Sequence, residues 1–291
     1  MVRKRRWWYM LRIQRIKDAL FGSSRQRESG LTIVELAVVV VVLGVIFPIF
    51  SALIVTAYRD VVYQDDRVKM TTEVKQALWY MDDGIRTANS FVAAVPNTFT
   101  DPYGPHGAGT DGAEAWSYRG DSATSRVIIT QSYSTTVNAL NTGRQAVFKN
   151  TSQFNCTTEM YYQPQLSYTS IYFVQNQTLY RRTLVDTTTA LCPGNAQTQK
   201  QSCPPTIAIG SRQAPCQAND EILATKISEF SVKYYQIIQD GTSIEIDPTY
   251  SSSDPAVLAT ADYVVVTIGT SSRNGAVTTS LTHRMTKVNQ I

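Results

Sequence analysis

The sequence predicts an α+β protein: a long N-terminal helix, transmembrane in its first half and amphipathic in its second, packed on an antiparallel β-sheet. Three observations predict it. Leu31 to Ala57 is an apolar run of 27 residues interrupted by a single charge, Glu35. Beyond it Val74, Ala77, Leu78, Met81, Ile85 and Ala88 recur at helical spacing, with Lys75, Asp82, Asp83 and Arg86 on the other side. From Ser90 onward, β-branched and aromatic runs punctuated by turn residues replace that period.

The apolar run sets the topology. At about 1.5 Å per residue it reaches roughly 40 Å as a helix, more than the ~30 Å hydrocarbon core of a bilayer. An acidic residue in such a segment costs about 2.5–3.5 kcal/mol at the helix centre and less near an end, and usually marks function. Residues 1–30 carry nine Lys and Arg against Asp18 and Glu28, so this leader should stay cytoplasmic and the C-terminal bulk should lie outside, as in a single-pass inner-membrane protein. An ordinary secretory signal has an apolar stretch of only about 7–15 residues. Pro48, one turn after Gly44, removes a backbone hydrogen bond inside the run and should kink or locally open the helix.

The chain therefore divides into a basic leader, 1–30; a long helix, 31–88, membrane-spanning over about 31–57; and a β-rich outer domain, 89–291. Strands are expected at Arg126–Tyr133, Thr169–Val174, Leu179–Val185, Ile227–Ile238, Tyr263–Thr270 and Ala276–Met285. Asn176-Gln177 and Ser272-Arg273-Asn274-Gly275 should close two hairpins, the Asn-Gly pair suiting the positive φ of a tight turn. Long loops at 97–125 and 186–220 interrupt the pattern, and loops of that length usually carry function or move.

Gly30-Leu31-Thr32-Ile33-Val34-Glu35-Leu36, between a basic leader and a Val-rich run, resembles the processing site of type IV prepilins and type II secretion pseudopilins. The resemblance implies cleavage between Gly30 and Leu31 by a prepilin peptidase, methylation of the new terminus, and a pilin-like fold. Leu31 replaces the phenylalanine usual at that position. Glu35 falls on the family's fifth-residue glutamate, which implies pairing with the free terminal amine of a neighbouring subunit during assembly. In low dielectric an opposite charge offsets the desolvation of a carboxylate far better than water at the bilayer edge does. Thr169 to Val174, Asn176-Gln177 and Thr178 to Arg182 are similar to the strand-turn-strand of large minor pilins and J-type pseudopilins. Ile222 through Tyr235 is similar to the single strand that follows, and His283 through Gln290 to the closing one. This implies a minor, tip-complex subunit of a type IV pilus or type II secretion-like filament at the cell surface. Its partners would be prepilin peptidase, other minor and major pilins, an inner-membrane assembly platform and the lipid bilayer. The alternative is a membrane-anchored outer-surface binding protein or adhesin that does not polymerise.

Cys156, Cys192, Cys203 and Cys216 all fall on the outer side, where an even number of cysteines suggests two disulfides. Three pairings are open. Cys192–Cys203 with Cys156–Cys216 is preferred because it would pin the base and the interior of the long loop separately. A zinc site would favour a C-x-x-C element, which the sequence lacks. Asp101, Asp111 and Glu114 could offer oxygen ligands to calcium but match no defined loop, so no metal is expected. The two histidines, His106 and His283, sit in no hydrolase, metalloprotease or phosphate-loop motif, so neither an enzyme nor a cofactor is expected. Trp116 and Tyr118 read as exposed loop aromatics that could contact a ligand, although one or two aromatics in a loop commonly only pack. The chain is +4 overall; removing the leader's +7 leaves −3 for residues 31–291, which speaks against nucleic-acid binding.

Overall fold

A computed structural model describes residues 32–96, 98–104, 116–118, 127–136, 145–194, 196–212, 215–246, 257–272 and 275–288. The chain separates into two units, Met1–Asp60 and Val61–Ile291. Helix α1, Ile33–Arg86, runs through the boundary without interruption at Pro48. Of the kink or local opening expected at Pro48, the opening is not seen, since the helix continues through it: one missing bond is tolerated where the remaining i→i−4 ladder on both sides continues.

In the first unit the described helix is apolar on every side, and Ile33, Val39, Phe47, Phe50 and Val55 are all exposed. In the second unit α1 becomes one-sided. Met70, Val74, Ala77, Leu78, Met81 and Ile85 are buried, and Ala88 follows them into the interior. These residues repeat every three or four positions, which places them on one face. The helix ends where Ala88 N–H meets the Ile85 carbonyl and Val288 N–H meets that of Arg86, satisfying two of its orphan acceptors.

The antiparallel structure is divided between two sheets. The first contains β1 (Ser90–Phe91), β2 (Ile128–Tyr133), β3 (Ser167–Gln175), β4 (Thr178–Val185) and β7 (Glu221–Ala224), paired in the order β1-β2-β3-β4-β7. The second contains β8 (Ile227–Ile237), β9 (Ser243–Ile246), β10 (Tyr263–Ser272) and β11 (Val277–Thr286), in the order β11-β10-β8-β9. Short β5 (Ser202–Cys203) and β6 (Ala218–Asn219) pair in parallel by themselves. Residues 222–235, expected as one strand, are two: the chain changes sheet at Lys226, which takes a left-handed φ of 58° between β7 and β8. The β3–β4 hairpin turns through Asn176 and Gln177, both at positive φ (50° and 58°) as a two-residue turn of this hand requires.

Alternation decides what each strand buries. Ile128 and Tyr172 face α1, whereas their neighbours Ile129, Ile171 and Phe173 face a second cluster with Val92, Phe99 and Trp116. Strands β2 and β3 are therefore covered on both sides. In the second sheet Val264, Val266 and Ile268 of β10 join Val232 and Tyr234 of β8 against the helix. The register of β8 slips between Gly269 and Thr270, whose partners are Glu229 and Ile227. The extra residue, Ser228, keeps both Ile227 and Phe230 on the core side.

At Gly84 the helix packs close against Tyr172 of the first sheet. A Cβ there would collide with the Tyr172 hydroxyl oxygen. That hydroxyl is buried without a hydrogen-bond partner among the described residues, and burial raises the pKa of its phenol. Gly84→Ala should therefore destabilise the fold by about 1–2 kcal/mol, the overpacking outweighing the ordinary helical gain of alanine over glycine. Tyr172→Phe removes the obstructing oxygen, so Gly84→Ala in the Tyr172→Phe background should be neutral or stabilising. Urea unfolding of the four members of this cycle measures the coupling.

Candidate functional site

Two places concentrate the polar chemistry of the chain: the start of α1 and the far side of the first sheet. At the helix start, Thr32 and Glu35 form a reciprocal cap. The Thr32 N–H and hydroxyl donate to Glu35 Oε2 at 3.0 and 3.1 Å, and the Glu35 N–H donates to Thr32 Oγ1 at 3.3 Å. This is a capping box, S/T-x-x-E, and it satisfies two donors that a helix N-terminus leaves open. The pattern Thr32-Ile33-Val34-Glu35 was readable in the sequence as a helix-start signal. Every contact uses Oε2, and no described residue bonds Oε1. Gly30 and Leu31, the expected processing positions, lie outside the described residues. The helix that follows is long and apolar enough to cross a membrane.

On the outer domain, Arg182 is 1% exposed. It lies on β4 between Tyr180 and Leu184, and alternation turns all three toward the second cluster. Its Nη1 donates to Asp101 Oδ2 and to the Tyr103 carbonyl, both at 2.8 Å. Its Nη2 donates to Asp220 Oδ2 at 2.6 Å and its Nε to both oxygens of Asp220 at 3.1 Å. The Ser202 hydroxyl donates to Asp220 Oδ1 at 2.8 Å, and Trp116 Nε1 donates to Asp101 Oδ2. The guanidinium also lies 5.3 Å from the ring centroids of both Trp116 and Phe173. Burial works against its charge, but the hydrogen bonds and charges of Asp220 and Asp101 outweigh it, and the net pKa shift is upward.

The structure places several residues singled out in the sequence. Asp101 is engaged with Arg182 and Trp116 and is not a free calcium ligand, while Asp111 and Glu114 lie outside the described residues. Trp116 and Tyr118 are buried, not exposed: the Trp116 ring packs on Phe173, and the Tyr118 hydroxyl donates to the Val232 carbonyl. Arg182, half of a basic pair in the sequence, is the anchor of a buried cluster. The signal for it was its inward position in an alternating strand, since an inward arginine demands acidic partners.

The cysteine pairing differs from the preferred one. Cys156 bonds Cys192 and Cys203 bonds Cys216, with Cα separations of 5.4 and 5.8 Å. Backbone bonding brings each pair together: Cys192 N–H reaches the Phe148 carbonyl and Asn150 N–H that of Ala190, while Asp220 N–H meets Cys203. The 186–220 segment is thus stitched down at both ends. It starts at Asp186, whose Oδ1 accepts from the Thr188 and Thr189 N–H groups at 3.0 and 3.1 Å. Burial raises the pKa of that carboxyl, but the hydrogen bonds from both threonines more than compensate, and it ends below the usual aspartate value. His283 is exposed on β11, with Asp82 Oδ1 3.9 Å from its Nε2; His106 lies outside the described residues. No group of three or more potential metal ligands occurs among the described residues.

No family model matches this chain, and no curated protein matches it significantly. Among solved structures, a type IV-like pilin from Thermus thermophilus aligns with a TM-score of 0.33 and 8% sequence identity, covering 76% of this chain and 98% of that one. An overlap this loose fixes neither family nor function.

Two outcomes are expected. Arg182→Leu leaves two buried carboxylates without their cation and should cost about 3–5 kcal/mol in urea unfolding, with partial recovery when Asp101→Asn and Asp220→Asn are added. Because the folded-state pKa of Asp186 is depressed, the residue contributes stability above the ordinary aspartate value near 3.8 and loses it as pH falls through the folded value. Asp186→Asn should be less stable at neutral pH, and its unfolding midpoint should converge on that of the wild type under acid.

Proposed function

We propose that the chain is a minor pilin or pseudopilin, a structural subunit of the initiating or tip complex of a type IV pilus or type II secretion-like filament. It is inserted N-in, trimmed after Gly30 by a prepilin peptidase, and assembled through α1 beside other pilins on an inner-membrane platform. On this reading residues 1–30 are the discarded leader, about 31–57 the membrane segment and 89–291 the extracytoplasmic domain, and the protein catalyses nothing itself. The observation that carries the reading is Glu35. It stands at the fifth position after the expected cut, at the head of a membrane-length helix, with Oε2 held by Thr32 and Oε1 without a described partner. A subunit whose first turn presents half a carboxylate in an apolar setting is suited to receive a neighbour's terminal ammonium.

The N-terminal sequence and intact mass of the protein from its native membrane test the cleavage. A terminus at Leu31, with or without one methyl group, supports the reading; an intact Met1 or Met10 terminus overturns it in favour of a tethered outer-surface binding protein. The role of Glu35 is separable from its cap, because Gln also serves at the third position of a capping box. Glu35→Gln should insert and be processed normally, yet enter filaments at least roughly tenfold less, the effect expected when a buried ion pair loses one partner. Wild-type incorporation of Glu35→Gln would leave the residue a cap alone.

A further inference from the structure

Residues 150–165 form a loop tied to the rest of the outer domain by the Cys156–Cys192 disulfide. Inside it, Gln163 is 3% exposed. Its Oε1 accepts from the Thr151 N–H and hydroxyl, and its Nε2 donates to the Phe154 carbonyl. Asn155 Oδ1 holds the Thr157 N–H and hydroxyl at 2.9 and 2.6 Å. The Asn155 carbonyl accepts from the Glu159 N–H at 2.7 Å. The loop is therefore shaped before any partner arrives, which keeps the entropic cost of binding low.

On this braced frame stand three large rings in the open. Tyr161 and Tyr162, in a short 3₁₀ turn, are 81% and 73% exposed, and Phe154 is 39% exposed. The Phe154 and Tyr162 rings are 5.9 Å apart at a tilt of 32°, making one continuous aromatic surface, while Tyr161 is steadied edge-on against buried Phe148 at 5.7 Å. A single exposed aromatic is ordinary, but a contacting pair, Phe154 and Tyr162, with exposed Tyr161 adjacent in sequence to Tyr162 on the same braced loop, forms a patch. Their surroundings are hydroxyl and amide side chains: Ser152, Gln153, Asn155, Thr157, Thr158 and Gln165 are all exposed. Glu159 is the only charged residue between 150 and 165, and its carboxylate accepts from the Asn155 N–H.

That composition selects the partner. Nucleic acid and anionic lipid surfaces require clustered Lys and Arg, and the loop has none. A stable protein interface needs about 800 Å² from each side, whereas three partly exposed rings offer a few hundred at most. A ligand with apolar faces and hydroxyl edges, and no charge, meets rings and amides together. We propose that the 150–165 loop binds a neutral oligosaccharide, with Tyr161 and Tyr162 stacking on pyranose faces beside Phe154 and the flanking hydroxyls and amides bonding the sugar hydroxyls. This holds whether or not the chain polymerises.

The test is calorimetric titration of the full chain in lipid nanodiscs with gluco-, galacto-, manno- and xylo-oligosaccharides and N-acetylchitohexaose. At least one should bind in the millimolar range or tighter. Tyr161→Ala and Tyr162→Ala should each weaken it roughly tenfold, and the corresponding Phe substitutions by less than about threefold because the ring remains. Tyr133→Ala, at a tyrosine 50% exposed on β2, should leave binding unchanged. The proposal is overturned by no heat with any of these sugars, or by binding that survives both Ala substitutions. It is equally overturned if the tyrosines instead govern attachment to phosphatidylcholine–phosphatidylglycerol vesicles or self-association of the chain.

Discussion

The outer domain depends on one apolar seam, the stripe from Met70 to Ile85 on α1. Both sheets use it. Ile128, Tyr172 and Leu179 reach it from the first sheet, and Val232, Tyr234, Val264, Val266 and Ile268 from the second. Without the helix, each sheet would present a row of aliphatic and aromatic side chains to water, at roughly 25 cal/mol for each Å² left uncovered. The seam also explains the detailed backbone choices around it. Gly84 is where the helix comes so near Tyr172 that a Cβ would meet its hydroxyl, and Ser228 bulges out so that Ile227 and Phe230 can both reach inward. The Glu73 carboxylate accepts the Thr225 N–H and hydroxyl, fixing the helix to the turn where the chain passes from one sheet to the other.

The same helix, a few turns earlier, has no such stripe. Apart from Glu35, its exposed large side chains from Ile33 to Val55 are aliphatic or aromatic in every direction, so no single packed face could satisfy them. A helix that is apolar all round belongs in lipid or among other apolar helices. Its first turn is where a carboxylate costs least, for two physical reasons. The open N–H groups of a helix start favour negative charge, and Thr32 adds donors of its own. Glu35 is tolerated locally before any neighbour is considered, and among the described residues only its Oε2 is engaged.

Much of this was legible in the residues. The apolar run and the stripe at Val74, Ala77, Leu78, Met81 and Ile85 follow from period alone, and the α+β class follows with them. The hairpin at Asn176-Gln177 was legible because short polar pairs between β-branched runs leave few alternatives. Division into two sheets was not, because the switch at Lys226 rests on one left-handed residue of a type with no preference for that region. Burial of Trp116 and Tyr118 was hidden for a related reason: they lie in a Gly- and Pro-rich segment with no period, and their burial depends on contacts with Phe173 and Val232, far away in sequence. The disulfide pairing depends on the same kind of distant pairing, since it is Phe148 and Asn150 that bring Cys192 beside Cys156.

The Arg182 cluster shows what such distant contacts contribute. A buried arginine with two aspartates is seldom more stabilising than a well-packed apolar set of equal volume. What it adds is intolerance of error. Asp101 and Asp220 come from two segments, one on either side of β4 in sequence, and each has its charge matched only when its own segment lies in the observed place. If either segment settles elsewhere, a charge is left buried without a partner, at a cost of several kcal/mol; a displaced leucine would lose far less. Turn chemistry and hydrophobic period hold the strands, but the sequence offers no hydrophobic period in the stretches that carry Asp101 and Asp220. For those segments, the penalty for leaving Arg182 unmatched stands in for the repeating pattern that the sequence does not supply there.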